Sequence, residues 1–431
     1  MTIRSVTPVR RLPRAVVVLI AAVMVACSSG GHATLPVPPT APQPIPLTEP
    51  AIRSALARGG TIILPAGTVD ITRPLRITRS GTKLLGAGRD ATVLRMAFGP
   101  NASGPLLAVP AELSADFNGN PPPESMRVAD VEIAHLTVDG AREGNPNTYG
   151  GDRPTTLRFG IQSTVSTNTW IHDVRVTDIA GDAISFGNGN GVNVRPRVED
   201  VLVERAGRNG IHLGDAEDAA IRRTQILDTP GPYWPDAGAG NGIDIEVEGL
   251  NPHVLRTVIE DNQISRPSNP GMAGVGIQIT RAFGDVDDVL VQRNTFRNHQ
   301  LGVLVSNATN VRILTNEFDS SPIGQNNVTG GGIGLVAAPG HPAGALVKDN
   351  TFRFEEWRFY ADSIISVDGP GDWTVTDNLM LGGRQTFRSY DGPSRIESAR
   401  NQWKTLDDGP FFSPTDPSHQ TLVDAGSTRV P

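Results

Sequence analysis

From residue 160 onward one short pattern keeps returning: a small residue, an aliphatic one, a variable one, and often a second aliphatic. It reads Gly160-Ile161-Gln162, Ala183-Ile184-Ser185-Phe186, Gly210-Ile211-His212-Leu213, Gly242-Ile243-Asp244-Ile245, Gly276-Ile277-Gln278-Ile279, Gly302-Val303-Leu304-Val305 and Gly332-Ile333-Gly334-Leu335. Alternation at period two marks a short strand with one buried face. The leading aliphatic residues lie 23, 27, 32, 34, 26 and 30 positions apart. That is one coil of a β-solenoid or slightly more, with the surplus in Pro- and Gly-rich inserts. A second marker runs in its own phase: Asn262, Asn294, Asn316, Asn350, Asn378 and Asn401, each following a strand-like segment such as Val289 to Gln292. An asparagine stacked once per coil suits a tight bend between sheets, where a left-handed backbone is tolerated. Two markers at one period predict a repeat architecture. The expected fold is all-β, a single-stranded right-handed parallel β-helix of about eight or more coils.

Ahead of the repeats, Thr48 to Gly60 has the pattern of a short helix. Thr48 is placed as N-cap, Pro50 in the first turn, Ile52, Ala55 and Leu56 on one face, and Gly59 past the end. A helix there would cap the open first coil, because each solenoid repeat buries its face only against a neighbour. The expected organisation is a signal at 1–26, a tether at 27–47, a capping helix at 48–60, the β-helix at 61–405 and a C-terminal cap or tail at 406–431. Together with the opening Gly59 to Thr68, the ladders resemble the pectin-lyase-like superfamily over essentially the whole mature chain. Propeller and leucine-rich-repeat signatures are missing.

Composition supports a one-dimensional core. The chain has 431 residues, with 47 Gly, 35 Pro and 5% aromatics, whereas a single compact core rarely grows past about 250–300 residues. The N-terminus reads as an export signal. Arg4, Arg10, Arg11 and Arg14 precede an apolar run from Ala15 to Val25 that is too short for a resident span. It ends in Met24-Val25-Ala26-Cys27, which resembles a bacterial lipobox and implies lipidation of Cys27; an ordinary cleaved signal is the alternative. Cys27 is the only cysteine, which rules out a disulfide framework. The prolines from Pro36 to Pro46 would hold the body off the membrane as an extended tether. The formal charge is −7, and the leader carries basic residues alone, so the body is more acidic still. That argues against nucleic acid and against polyanionic glycans without a bridging cation. A monomer acting on a polysaccharide or oligosaccharide, lipid-anchored on the extracytoplasmic side, is the expectation.

Candidate chemistry follows from the alternation. The residues after each inward aliphatic, Gln162, Ser185, His212, Asp244 and Gln278, are expected to form a solvent-facing row, with Glu246 beside Asp244. Adjacent carboxylates destabilise a purely structural sheet, so the cluster reads as a site, although a solvated polar face is the alternative. Inserts at 140–158, 229–241 and 265–274 would wall a groove, with Tyr233 and Trp234 as sugar platforms. Gln278, Arg281, Asn188 and Asp215 complete the expected substrate contacts. A glycoside hydrolase is favoured, with Glu246 as general acid, Asp244 as base or nucleophile and His212 tuning their charge. A uronate lyase or C5-epimerase is the second possibility. Gly242 and Asp244 match two positions of a motif similar to that of mannuronan C5-epimerases, but Ile245-Glu246 replaces its Pro-His. The third is a non-catalytic glycan-binding or scaffold protein. No cofactor is expected; Ca²⁺ held by Asp215, Glu217 and Asp218, or by Asp285, Asp287 and Asp288, is the only ion the sequence suggests.

Overall fold

The computed structural model describes residues 42–99, 102–110, 124–146, 148–150, 153–156, 158–187, 191–229, 240–247, 252–265, 274–299, 301–319, 331–341, 343–354, 363–389, 394–405, 408–414 and 420–431. Cys27, Asn188, Tyr233 and Trp234 lie outside them. Three long parallel sheets are formed, of 12, 17 and 13 strands among the described residues, here sheets 1, 2 and 3. One coil shows the course. Ile211–Leu213 lies in sheet 1, Ala216–Glu217 and Ala220–Arg222 in sheet 2, Gln225–Leu227 in sheet 3, and Ile243–Glu246 returns to sheet 1. The chain is a right-handed parallel β-helix. It begins behind helix Glu49–Arg58, whose Ile52, Ala55 and Leu56 join the common core. It continues past residue 405, because Phe412–Pro414, Gln420–Ala425 and Thr428–Arg429 each pair onto one of the three sheets. The segment expected as a cap or tail thus contributes one strand to each of the three sheets.

The repeated glycine–aliphatic unit sets the register of sheet 1. Ile161, Ile184, Ile211, Ile243, Ile277, Val303 and Ile333 stand directly opposite one another and all are fully buried. The glycine in front is dictated by space. A Cβ on Gly210, Gly242 or Gly276 would sit 2.5, 2.6 or 2.5 Å from the carbonyl oxygen of the next glycine in the column. From sheet 3 the core receives a stacked column of Phe296, Phe318 and Phe352, with centroids 4.7 and 4.6 Å apart.

The asparagine ladder is continuous from Asn262 to Asn401. Each side-chain N–H donates to the Oδ1 of the next asparagine at 2.9, 3.1, 3.0, 3.0 and 3.0 Å. The left-handed backbone was expected at these asparagines but belongs to the residue before each: Asp261, Arg293, Thr315, Asp349, Asp377 and Arg400 have φ of 59, 53, 53, 57, 59 and 53°. The asparagine serves through its amide, which satisfies the backbone groups freed where the chain leaves one sheet for the next.

Left-handed turn residues stack on the outside in columns, and between Arg195 and Arg293 the charges of two of these columns alternate from coil to coil. Arg195, Asp200 and Arg205 of one coil meet Asp218, Arg223 and Asp228 of the next. Arg256 with Asp261 follows, then Asp288 with Arg293. Ion pairs join the columns: Arg205–Asp178 at 2.7 Å, Arg223–Asp200 at 2.9 Å, Arg256–Asp218 at 2.6 Å and Arg293–Asp261 at 2.8 Å.

Candidate functional site

The polar row is real in register. Gln162, Ser185, His212, Asp244, Gln278 and Leu304 lie opposite one another along sheet 1. Its surroundings differ from the expectation. Gln162 and His212 are 0% exposed, Ser185 1% and Asp244 2%, while Gln278 and Glu246 are half-buried. The row is a sheltered polar layer as far as Asp244, not a solvent-facing one. Alternation fixes which side of a sheet a side chain takes, but it says nothing of what lies over that side.

Within the layer, Ser185 Oγ is 3.3 Å from His212 Nδ1, and Asn209 Nδ2 donates to Asp244 Oδ2 at 2.9 Å. Asn209 belongs to a second ladder at the entrance to sheet 1. Asp182 Oδ1 accepts the Asn209 backbone N–H at 3.0 Å, Asn209 Oδ1 accepts that of Asn241 at 2.8 Å, and Asn241 Oδ1 that of Val275 at 3.2 Å. Arg208 lies 3.5 Å from Asp182. These four residues, Asp182, Arg208, Asn209 and Asn241, were missed in the sequence. Their signal was present, since Asp182, Asn209 and Asn241 each stand one position before the small residue of the repeat.

Two polar atoms of the layer, His212 Nε2 and Asp244 Oδ1, are buried without a hydrogen-bond partner among the described residues. Such atoms are rare in folded proteins and call for a bound water or ligand group. Burial pushes the Asp244 carboxyl up to about 8; the nearby Glu246 adds to this, and Arg208 opposes it. Burial lowers the His212 imidazole to about 4, against the pull of Asp182. At neutral pH a protonated carboxyl thus stands beside a neutral imidazole. Of the two carboxyls, Asp244 is the buried one and Glu246 is the one that solvent reaches.

The remaining expected contacts go elsewhere. Asp215, at the turn into sheet 2, is 4% exposed, and its Oδ1 accepts the His253 backbone N–H at 3.3 Å. Burial raises its pKa above the ordinary carboxylate value. Arg281 donates to the Gly284 carbonyl at 2.8 Å and pairs with Asp285 at 3.0 Å. Of the acidic groups suggested for Ca²⁺, Glu217 and Asp218 pair with Arg256 at 2.7 and 2.6 Å, and Asp288 with Arg312 at 2.6 Å. Local cations already neutralise them.

Residues 159–352 match the family described as right handed beta helix region. No curated protein matches the sequence. Among solved structures, PfbA, a surface adhesin of Streptococcus pneumoniae, superposes with a TM-score of 0.58 at 14% identity, over 86% of this chain and 89% of the adhesin. The N-terminal fragment of gene product 12 of bacteriophage Phi29 gives 0.56 at 16% identity, over 88% of this chain and 68% of the fragment. The mannuronan C-5 epimerase AlgE6 A-module of Azotobacter vinelandii gives 0.46 at 15% identity, over 89% and 94%. At such identities the likeness is one of fold.

Proposed function

We propose that sheet 1 of this right-handed parallel β-helix carries the active site of a glycoside hydrolase acting on an extended glycan. The observation that carries this reading is the Asp244 carboxyl, held protonated at neutral pH two residues along one strand from the half-buried Glu246. Alternate residues of a strand lie about 6.5–7 Å apart at Cα, a spacing compatible with either outcome of two-carboxyl hydrolysis. In this mechanism Asp244 gives its proton to the departing glycosidic oxygen, and Glu246 acts across the sugar as base or nucleophile. Asn209 orients Asp244 through its 2.9 Å hydrogen bond, and neutral His212 adds no charge that would ionise it. Gln278, Asn188, Tyr233 and Trp234 are proposed as sugar contacts.

A uronate lyase or epimerase needs a cation for the sugar carboxylate, and Arg208, whose charge acts on Asp244, already lies beside Asp182. A non-catalytic glycan-binding or scaffold role is favoured by one observation, the near-complete burial of Asp244. Export and anchoring through Cys27 belong to the same proposal. Cys27→Ala is expected to move the protein from the detergent phase to the aqueous phase, and unchanged partitioning would remove the anchor.

The test is reducing-sugar release from neutral and acidic glycans by the parent, Asp244→Asn and Glu246→Gln. Each variant is expected to lose at least about a hundredfold in turnover. Equal turnover in parent and variants overturns the assignment. Unsaturated-sugar absorbance in the products moves it to a lyase, and binding without turnover leaves a binding protein.

A further inference from the structure

We propose that His135, His172 and Asp173, on the outer edge of sheet 2, form a binding site for one divalent transition ion of the zinc class. The site is separate from the Asp244 face, which lies on sheet 1. One donor atom from each of the three residues falls within 4.8 Å of the others. Two imidazoles with a carboxylate select a borderline ion such as Zn²⁺ over Ca²⁺ or Mg²⁺, which prefer oxygen throughout. Three protein donors also leave a coordination position open.

Register brings the donors together. Trp170–His172 pairs with Glu132–Ala134 so that His172 stands opposite Ala134, and the following residues, Asp173 and His135, stack at the turn. His172 Nδ1 is already 2.9 Å from Asp173 Oδ2, a pair whose shared proton an ion would displace. An ion holding donors at about 2.1 Å sets them about 3.4 Å apart. His135 is exposed, and its ring meets that of His172 edge-on with centroids 5.5 Å apart.

Two further observations set this cluster apart from an accidental meeting of polar groups. The other ring nitrogen of His172, Nε2, lies 3.3 Å from Glu132, which Lys83 holds at 2.6 Å. A carboxylate behind a histidine in this way fixes the tautomer that presents the opposite nitrogen to a metal. The Trp170 ring, stacked at 3.7 Å, fixes the imidazole plane. Secondly, the turn column sets no arginine beside Asp173 from either neighbouring coil. Asp173 stacks between His135 and Asp200, and Asp200 takes Arg223 as its own partner. Where the pattern would set an arginine against Asp173, the preceding coil offers an imidazole.

Chelator-treated mature protein, made without a histidine tag, is titrated with Zn²⁺ by calorimetry and with Co²⁺ by visible absorption. One equivalent is expected to bind, with Co²⁺ ligand-field bands and quenching of Trp170 fluorescence that Trp170→Phe removes. His135→Ala and Asp173→Ala change side chains outside the core, and each is expected to weaken binding at least about tenfold; Glu132→Gln should do so less strongly. Added Zn²⁺ should raise the unfolding midpoint of the parent and leave that of His135→Ala unmoved. No binding by the parent, or equal binding by parent and both alanine variants, overturns the proposal.

Discussion

Replacing Asp244 by asparagine should make the stability of this protein change with pH in a defined way. The amide has the shape of the neutral acid but never ionises. Asp244 titrates at about 8 when folded, against a model value of 3.8 for the free side chain. Below about pH 4 both the folded and the unfolded chain hold the proton, and parent and variant should be similarly stable. Between about 4 and 8 the unfolded chain has released a proton that the folded one retains. Each further pH unit then removes about 1.4 kcal/mol from the parent. Across that interval the gap in favour of Asp244→Asn grows to about 6 kcal/mol, and above 8 it stops growing. His212 works in the opposite sense. Burial lowers it to about 4, so its contribution is complete above the unfolded value of 6.5 and is lost as pH falls toward 4. That effect is common to parent and variant and cancels in the comparison. Urea unfolding of both proteins at pH 4, 6 and 8, with hydrogen exchange of the Ile243 and Ile245 amides as a local readout, measures the gap. A difference constant within about 1 kcal/mol from pH 4 to 8 would show that Asp244 is ionised in the folded protein, and the acid role would go with it.

Two further outcomes concern the scaffold. Asn316 accepts the backbone and side-chain N–H groups of Asn294 at 2.9 and 3.1 Å and donates to the Val291 carbonyl and Asn350 at 3.0 Å each. Asn316→Ala strands several buried polar groups and should cost about 3–5 kcal/mol in chemical denaturation; a loss under about 1 kcal/mol would mean water replaces the amide. Gly276→Ala places a Cβ 2.5 Å from the Gly302 carbonyl oxygen, whereas the same change at Gly99 meets nothing within 4 Å. The first should lower stability by about 1–3 kcal/mol and the second by under about 0.5 kcal/mol, and equal effects would refute the packing argument.

The scaffold was legible in the sequence where one residue type answers one steric or hydrogen-bonding demand in every coil. The Gly-Ile units predicted the register of Ile184, Ile211, Ile243 and Ile277, and the Asn series predicted its own ladder. Which residue takes the left-handed turn was not legible. Asp, Arg and Thr all occupy it, so composition gives no single signature. The site was half legible. Asp244, His212 and Glu246 follow from alternation, but the burial that decides their protonation depends on what covers the sheet. Asp182, Arg208 and Asn209 reach Asp244 from neighbouring coils and the adjoining turn. His135 and His172 lie 37 positions apart in the sequence, and only the stacking of coils makes them neighbours.

The alternating turn charges give this solenoid a parity that its backbone lacks. In backbone register each coil of the stretch pairs with the next in the same way. Electrically, between Arg195 and Arg293, two of the turn columns alternate together, one coil reading Arg-Asp and the next Asp-Arg. Excising a single inner coil from this stretch would bring like charges together in both columns, while excising the adjacent inner pair would set opposite charges against each other again. Each exposed pair alone is weak, but like charges face each other in both columns at once when the count is odd. The structural repeat of this stretch is one coil, whereas its unit of insertion and deletion is two.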